Sequence, residues 1–181
     1  MALTIETSQA MVDLGQTIGG RLGPGDLVLL DGALGAGKTT LARGIGAALG
    51  VRGAITSPTF VLARTHPRSS ESERELDAAA PAPLVHVDAY RLSTAADLAD
   101  LDIDYSASIV VVEWARHLLD GVSEAWLAVQ LERRRGGLAV ADSRGRAVGG
   151  RADDEDEPRF VTVTGHGARW RNLDWLDAAR D

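Results

Sequence analysis

Residues 32–40 read GALGAGKTT. Gly32, Gly37, Lys38 and Thr39 fit the spacing GxxxxGK[ST], the pattern of a phosphate-binding loop. Each residue type has a physical reason to be there. Glycines let successive backbone N–H groups converge on one anion with no Cβ in the way. The Lys38 ammonium is a point charge that reaches outer phosphates, and the Thr39 hydroxyl is a magnesium ligand. A helix opening at this point adds the positive end of its dipole to the same place.

The flanks support that reading. Asp26–Gly32 (DLVLLDG) is a short apolar run, the pattern of a buried parallel strand. Beyond the loop, Leu41, Ile45 and Leu49 recur at a spacing that lines one helical face, and Gly50 follows as a C-cap. The order is therefore strand, glycine loop, helix.

The chain has 181 residues and carries 45% apolar but only 4% aromatic side chains, so a globular domain with an aliphatic core is expected. One domain is expected over residues 1–181, with polar insertions near 65–83 and 134–158. There are no cysteines, which excludes disulfides and thiolate metal sites and fits a reducing cytoplasm. No apolar stretch approaches the roughly 20 residues of a membrane helix, and the N-terminus lacks the pattern of a secretion signal. A net charge of −7 argues against a broad nucleic-acid-gripping surface.

Further elements follow from periodicity. A first helix is expected within ETSQAMVDLGQTIGG, with Thr7 or Ser8 as its N-cap and Met11, Leu14 and Ile18 on one face. Ala54–Arg64 reads as a loop entering a strand, because Pro58 blocks helix. Leu84–Tyr90 (LVHVDAY) and Ser108–Trp114 (SIVVVEW) read as strands, separated by a capped helix at STAADLADLDI. Ala125–Arg133 and Arg159–Gly167 alternate with period two and predict a C-terminal antiparallel pair. A short hairpin is expected at LAVADSRGRAVGG and a short helix at ARWRNLDWLDAA.

A phosphate loop becomes a hydrolase site only with carboxylates at the ends of neighbouring strands. Glu113 ends one strand and is the expected second magnesium residue; Asp88 ends another and is expected to position the attacking water, act as base or hold a metal-bound water. Thr59, on the Ser-Pro loop, offers a hydroxyl to a third phosphate. Tyr90, Arg91 and Trp114 directly follow the two acids. Arg133, Arg134 and Arg135 read as a solvated turn; His86 reads as packed or hydrogen-bonded near Asp88, and neither it nor His117 has metal-ligand spacing.

The ordered segments GALGAGKTTLARG, SPTF, HVDAYRL and VVVEW resemble the TsaE family, also called YjeE. The resemblance implies a P-loop NTPase-like three-layer α/β/α fold with a mixed, largely parallel sheet. It also implies ATP with Mg2+ and partnership with TsaB and TsaD, which place a threonylcarbamoyl group on a tRNA adenosine beside the anticodon. Carried onto this chain, Gly32 and the run Gly35, Ala36, Gly37, Lys38, Thr39 and Thr40 cradle phosphate; Thr39 and Glu113 hold magnesium; Asp88 is the essential acid of HxDxYR; Thr7 lies near the adenosine. One departure is Ala33, where many relatives carry Asp.

The alternative from another class is a small-molecule kinase, which needs an acceptor pocket under a closing lid. A guanine-reading NKxD segment is absent from the sequence, which argues against a regulatory GTPase.

Overall fold

The computed structural model describes residues 1–69, 81–115, 123–133 and 157–179. The elements are β1 (Ala2–Ile5), α1 (Ser8–Gly19), β2 (Leu27–Gly32), α2 (Lys38–Ala48), β3 (Ala63–His66), β4 (Leu84–Asp88), α3 (Ala95–Ala99), β5 (Ile109–Glu113), β6 (Trp126–Arg133) and β7 (Arg159–His166). Short 3-10 turns follow β4 at Ala89–Arg91 and β7 at Ala168–Trp170 and Asp174–Ala179.

The sheet order is β1-β7-β6-β2-β5-β4-β3. Neighbours in the central run β6-β2-β5-β4 are parallel; β7 pairs antiparallel with β6 and β1, and β3 with β4. This is the mixed, largely parallel sheet expected, with the C-terminal antiparallel pair in place. The central strands are apolar because both faces are covered. One face carries α1, α2 and the C-terminal turn, packed on Val28, Leu30, Ile109, Val111, Leu127 and Val129. The other carries Leu92 and Leu98, on and around α3, packed on Leu27, Leu29, Val85, Val87, Val110 and Val112. The core is aliphatic as the composition requires; among the described residues Trp170 is its one buried aromatic.

Local chemistry explains the helix ends. Thr7 caps α1 by accepting from the Ala10 N–H at 3.1 Å. Thr94 and Asp97 form a reciprocal capping box at α3. Leu49 ends α2, and Gly50 just beyond it takes the left-handed conformation, with φ +65°.

The structure departs from the sequence reading in three places. Residues 2–5 form an edge strand that sequence reasoning passed over: four residues of alternation are too short a signal, and the pairing partner is Arg159–Thr162, far along the chain. The stretch Thr65–Pro83 is not wholly an insertion. Thr65 and His66 belong to β3, Arg68 donates to the Leu49 carbonyl at 2.6 Å, and Ser69 N–H donates to Gly50 at 2.8 Å. Residues 70–80 of that stretch, the hairpin expected at 138–150, Arg134, Arg135 and His117 lie outside the described residues. Finally, the closing segment forms two short 3-10 helices where one short helix is expected.

Helices α1 and α2 touch at their backbones. A Cβ on Gly44 would lie 2.1 Å from the Val12 carbonyl oxygen, and one on Gly15 would lie 2.3 Å from that of Leu41. Neither neighbour is a flexible side chain that can move aside. Gly44→Ala is therefore expected to force the helices apart, costing about 1–3 kcal/mol, or about 2–4 °C of melting temperature per kcal/mol in a chain this size. Gly20→Ala is the control, since its nearest atom is at 3.5 Å and its φ is −65°. Thermal unfolding of the two variants checks the contact; equal melting temperatures would contradict it.

Candidate functional site

The loop between β2 and α2 is shaped by what its glycines lack. A Cβ on Gly32 would stand 2.4 Å from the Leu131 carbonyl of β6, so the strand can approach only without one. Gly37 takes φ +108° at the N-cap of α2 and offers no capping side chain. The first-turn N–H groups of α2 are thus left to bind something else, and an anion suits them. Ala36 is fully buried, and its N–H donates to the Ala33 carbonyl at 3.1 Å within the loop.

Lys38 is 5% exposed. Its ammonium donates to the carbonyls of Gly32 at 2.7 Å and Ala33 at 3.0 Å, and lies 3.7 Å from the ring centroid of Trp114. Burial pushes its pKa below the ordinary lysine value, while the carboxylates of Glu113, Asp31 and Asp88 oppose that shift. Trp114 has φ +67°, unusual for a bulky residue, and packs edge-on against Tyr90 at 5.5 Å.

The two acids arrive side by side because β4 and β5 pair in parallel with Asp88 opposite Glu113. Both are 3% exposed. Glu113 Oε1 accepts from the Thr39 hydroxyl at 3.2 Å and from His86 Nε2 at 2.9 Å. Asp88 accepts from the Thr59 hydroxyl on Oδ2 and from the Tyr90 N–H on Oδ1 at 3.0 Å, so it caps the following turn as well as facing the cleft. Ser57 and Thr59 share a hydrogen bond of 2.7 Å. Arg91 donates to the Thr59 carbonyl at 2.6 Å.

Together Lys38, Thr39, Thr59, Asp88, Glu113 and Trp114 line a cleft of about 230 Å³, with Gly35, Gly37 and Thr40 at its loop side. Thr7 is not in it. It lines a smaller recess of about 60 Å³ with Ser8, Met11, Glu157 and Arg159, beyond Ala36, Gly37 and Thr40, which that recess also touches. The expected residues thus fall on two sides of one loop.

One sequence expectation is corrected. Arg133 is not in a solvated turn. It ends β6, its guanidinium lies 3.2 Å from the Cβ position of Gly35, and it pairs with Glu157 at 3.5 Å. His86 is a hydrogen-bonded strand residue near Asp88 as expected, and its partner is Glu113. Glu157 and Arg159 escaped notice altogether, because only the β6–β7 pairing brings them to the loop and no local motif marks them.

The donor set suits a hard cation. Among the described residues no group of three or more His, Cys, Asp or Glu side chains is arranged to hold a metal by itself. The Thr39 hydroxyl and Glu113 carboxylate, in contact beside an anion cradle, fit magnesium, which takes few protein oxygens and completes its shell with phosphate and water.

The family model for the threonylcarbamoyl adenosine biosynthesis protein TsaE matches residues 5–139. The chain is 47% identical over 167 residues to the TsaE of Streptomyces coelicolor, covering 91% of this chain and 96% of that protein. It is 46% identical over 138 residues to the TsaE of Mycobacterium tuberculosis, covering 72% and 77%. In fold it is similar to the crystal structure of Bacillus subtilis YdiB, with a TM-score of 0.64 at 21% identity over 99% of this chain and 93% of that one. On the strength of the family match and these relatives, together with the loop and paired acids described above, the chain belongs to the TsaE family.

Proposed function

We propose that the cleft binds ATP with magnesium and hydrolyses it as one P-loop ATPase domain. Turnover then serves threonylcarbamoyladenosine (t(6)A) formation in ANN-decoding tRNAs by acting on a TsaB–TsaD complex. The observation that carries this reading is the Thr39–Glu113 contact, which joins the start of the loop helix to a strand-end carboxylate with Asp88 in register beside it.

The roles follow from the atoms. Lys38 exchanges two loop carbonyls and an aromatic face for phosphate oxygens, a stronger charge-assisted pairing. Thr39 and Glu113 would hold magnesium, which when bound neutralises charge on the phosphate oxygens. Asp88, still with lone pairs beyond its two present bonds, accepts a proton from the attacking water or orients it. Thr59 senses the outer phosphate through the same hydroxyl. Thr7 and its recess lie on the side left for the nucleoside.

Partner dependence has two supports. Arg91 donates to the Thr59 carbonyl and no arginine is among the described residues lining the cleft, so transition-state charge stabilisation is left for another molecule to supply. Around the cleft, Leu34 is 89%, Phe60 93% and Tyr90 69% exposed, a concentration of apolar side chains suited to a protein surface. With a net charge of −7, tRNA is reached through the complex rather than gripped directly. No helix among the described residues is long and apolar enough to cross a membrane, and the absence of cysteine fits a cytoplasmic setting. The kinase alternative loses ground because Arg68 and Ser69 are tied to the far end of α2, about 16 Å from the loop for a helix of that length.

ATP turnover measured for the chain alone and with TsaB and TsaD, alongside multiple-cycle tRNA modification, tests the proposal. A rise with partners is expected, and turnover without any response of modification would contradict the assigned purpose. Asp88→Asn should keep ATP affinity while turnover falls about 10²–10⁴-fold; lost affinity would make Asp88 a structural residue. Phe60→Ser should leave ATP affinity and basal turnover intact and reduce the partner-stimulated increment. An unchanged increment would place the docking surface elsewhere.

A further inference from the structure

His86 occupies a position where β4 asks for an aliphatic residue. It lies within the buried run LVHVD, is fully buried, and sits on a strand whose residues are all covered. Strand alternation sets its direction. Val85 and Val87 point to the face carrying α3, and Leu84 to the face carrying α2, so His86 and Asp88 share the α2 face with Leu84. On β5 the same alternation puts Glu113 on that face with Ile109 and Val111. His86 stands opposite Val111, one diagonal step from Glu113.

The resulting contact is asymmetric. His86 Nε2 meets Glu113 Oε1 at 2.9 Å, whereas His86 Nδ1 is buried with no hydrogen-bond partner among the described residues. Facing a carboxylate, Nε2 donates. That bond occupies Nε2 and leaves Nδ1 without a partner among the described residues. Burying a polar atom without a partner is costly, and a leucine or valine here would avoid it. The cost is borne at the position of β4 whose side chain bonds Glu113 from within the sheet. Thr39 reaches the same oxygen from the helix layer at the longer distance of 3.2 Å.

We propose that His86 is a positioning residue for the magnesium-binding carboxylate. Its Nε2–H fixes Oε1 of Glu113 so that the carboxylate keeps one orientation toward Thr39 and the cleft. The proposal rests on reading the cleft as a magnesium–ATP site. Partners that orient a metal-binding group typically change metal affinity about 10–100-fold when removed, without touching the metal or the nucleotide.

The test is equilibrium binding of a fluorescent ATP analogue to the full chain, titrated with magnesium and repeated in EDTA, for wild type, His86→Leu and His86→Gln. His86→Leu should raise the magnesium needed for half-maximal tight binding by about 10–100-fold while affinity in EDTA stays at the wild-type level. His86→Gln keeps an N–H at comparable reach and should recover most of that loss. An unchanged magnesium requirement in His86→Leu would overturn the proposal. So would an equal loss in EDTA, or a glutamine variant no better than leucine. Thermal unfolding accompanies each variant. If His86→Leu does not fold, His86→Asn takes its place: it stays polar but its amide stops short of Glu113, so it should need more magnesium than His86→Gln. Equality of those two would overturn the proposal. If wild type itself binds the analogue equally well with magnesium and with EDTA, the magnesium–ATP reading fails and the proposal fails with it, an outcome distinct from the others.

Discussion

One row of backbone pairing organises the site. Leu30 of β2 is opposite Glu113 of β5, and Glu113 is opposite Asp88 of β4. The phosphate loop opens two residues past Leu30, so parallel register alone brings the loop and both acids to the same edge of the sheet. The Trp114 N–H closes the row by donating to the Leu30 carbonyl at 3.1 Å. A one-residue slip of β5 would turn Glu113 to the other face of the sheet, away from Thr39 and His86. The apolar layer under α3 opposes that slip, because it would drive the Glu113 carboxylate in among Val87, Val110 and Val112. The same burial that stabilises the fold therefore sets the geometry of the site.

What could be read from the sequence divides along the same line. The β2–loop–α2 unit is local: strand, glycines, lysine and helix are adjacent, and each carries its own signal. Asp88 and Glu113 were legible as strand ends. Their place side by side was not, because it depends on a register that no stretch of residues spells out. His86 shows the difference well. Its place in a strand followed from alternation, but its bond to Glu113 requires knowing that β4 and β5 are parallel neighbours with Val111 opposite it. Arg133 is the same case on the other side of the loop. A run of arginines reads as solvated surface until β6 is seen to pair with β2 and end beside Gly35. Strand β1 was missed for a third reason, since four residues against a partner near the far end of the chain carry too little pattern to stand out.

Lys38 carries the main electrostatic tension. Burial disfavours its charge, and three nearby carboxylates favour it. The ammonium donates to the Gly32 and Ala33 carbonyls and lies against the Trp114 ring. Those are neutral acceptors and a weak aromatic partner, about 0.5–2 kcal/mol for the cation–π part. They keep the lysine ordered through partners that are individually weak.

Trp114 links this tension to the surface. Its left-handed backbone, at φ +67°, costs about 1–2 kcal/mol for a residue with a Cβ, and that cost is sustained by the Leu30 hydrogen bond and the buried strand before it. The strain aims the ring at Lys38 on one side and at Tyr90 on the other. Tyr90 is 69% exposed and its own N–H is held by Asp88. A contact made at the surface on Tyr90 is therefore two side chains from the lysine and one hydrogen bond from the acid. Glycine at position 114 would relieve the backbone strain but remove the ring that joins these groups. The strained tryptophan thus sets one ring between the exposed Tyr90 and the buried Lys38, alongside the direct hydrogen bond from Tyr90 to Asp88.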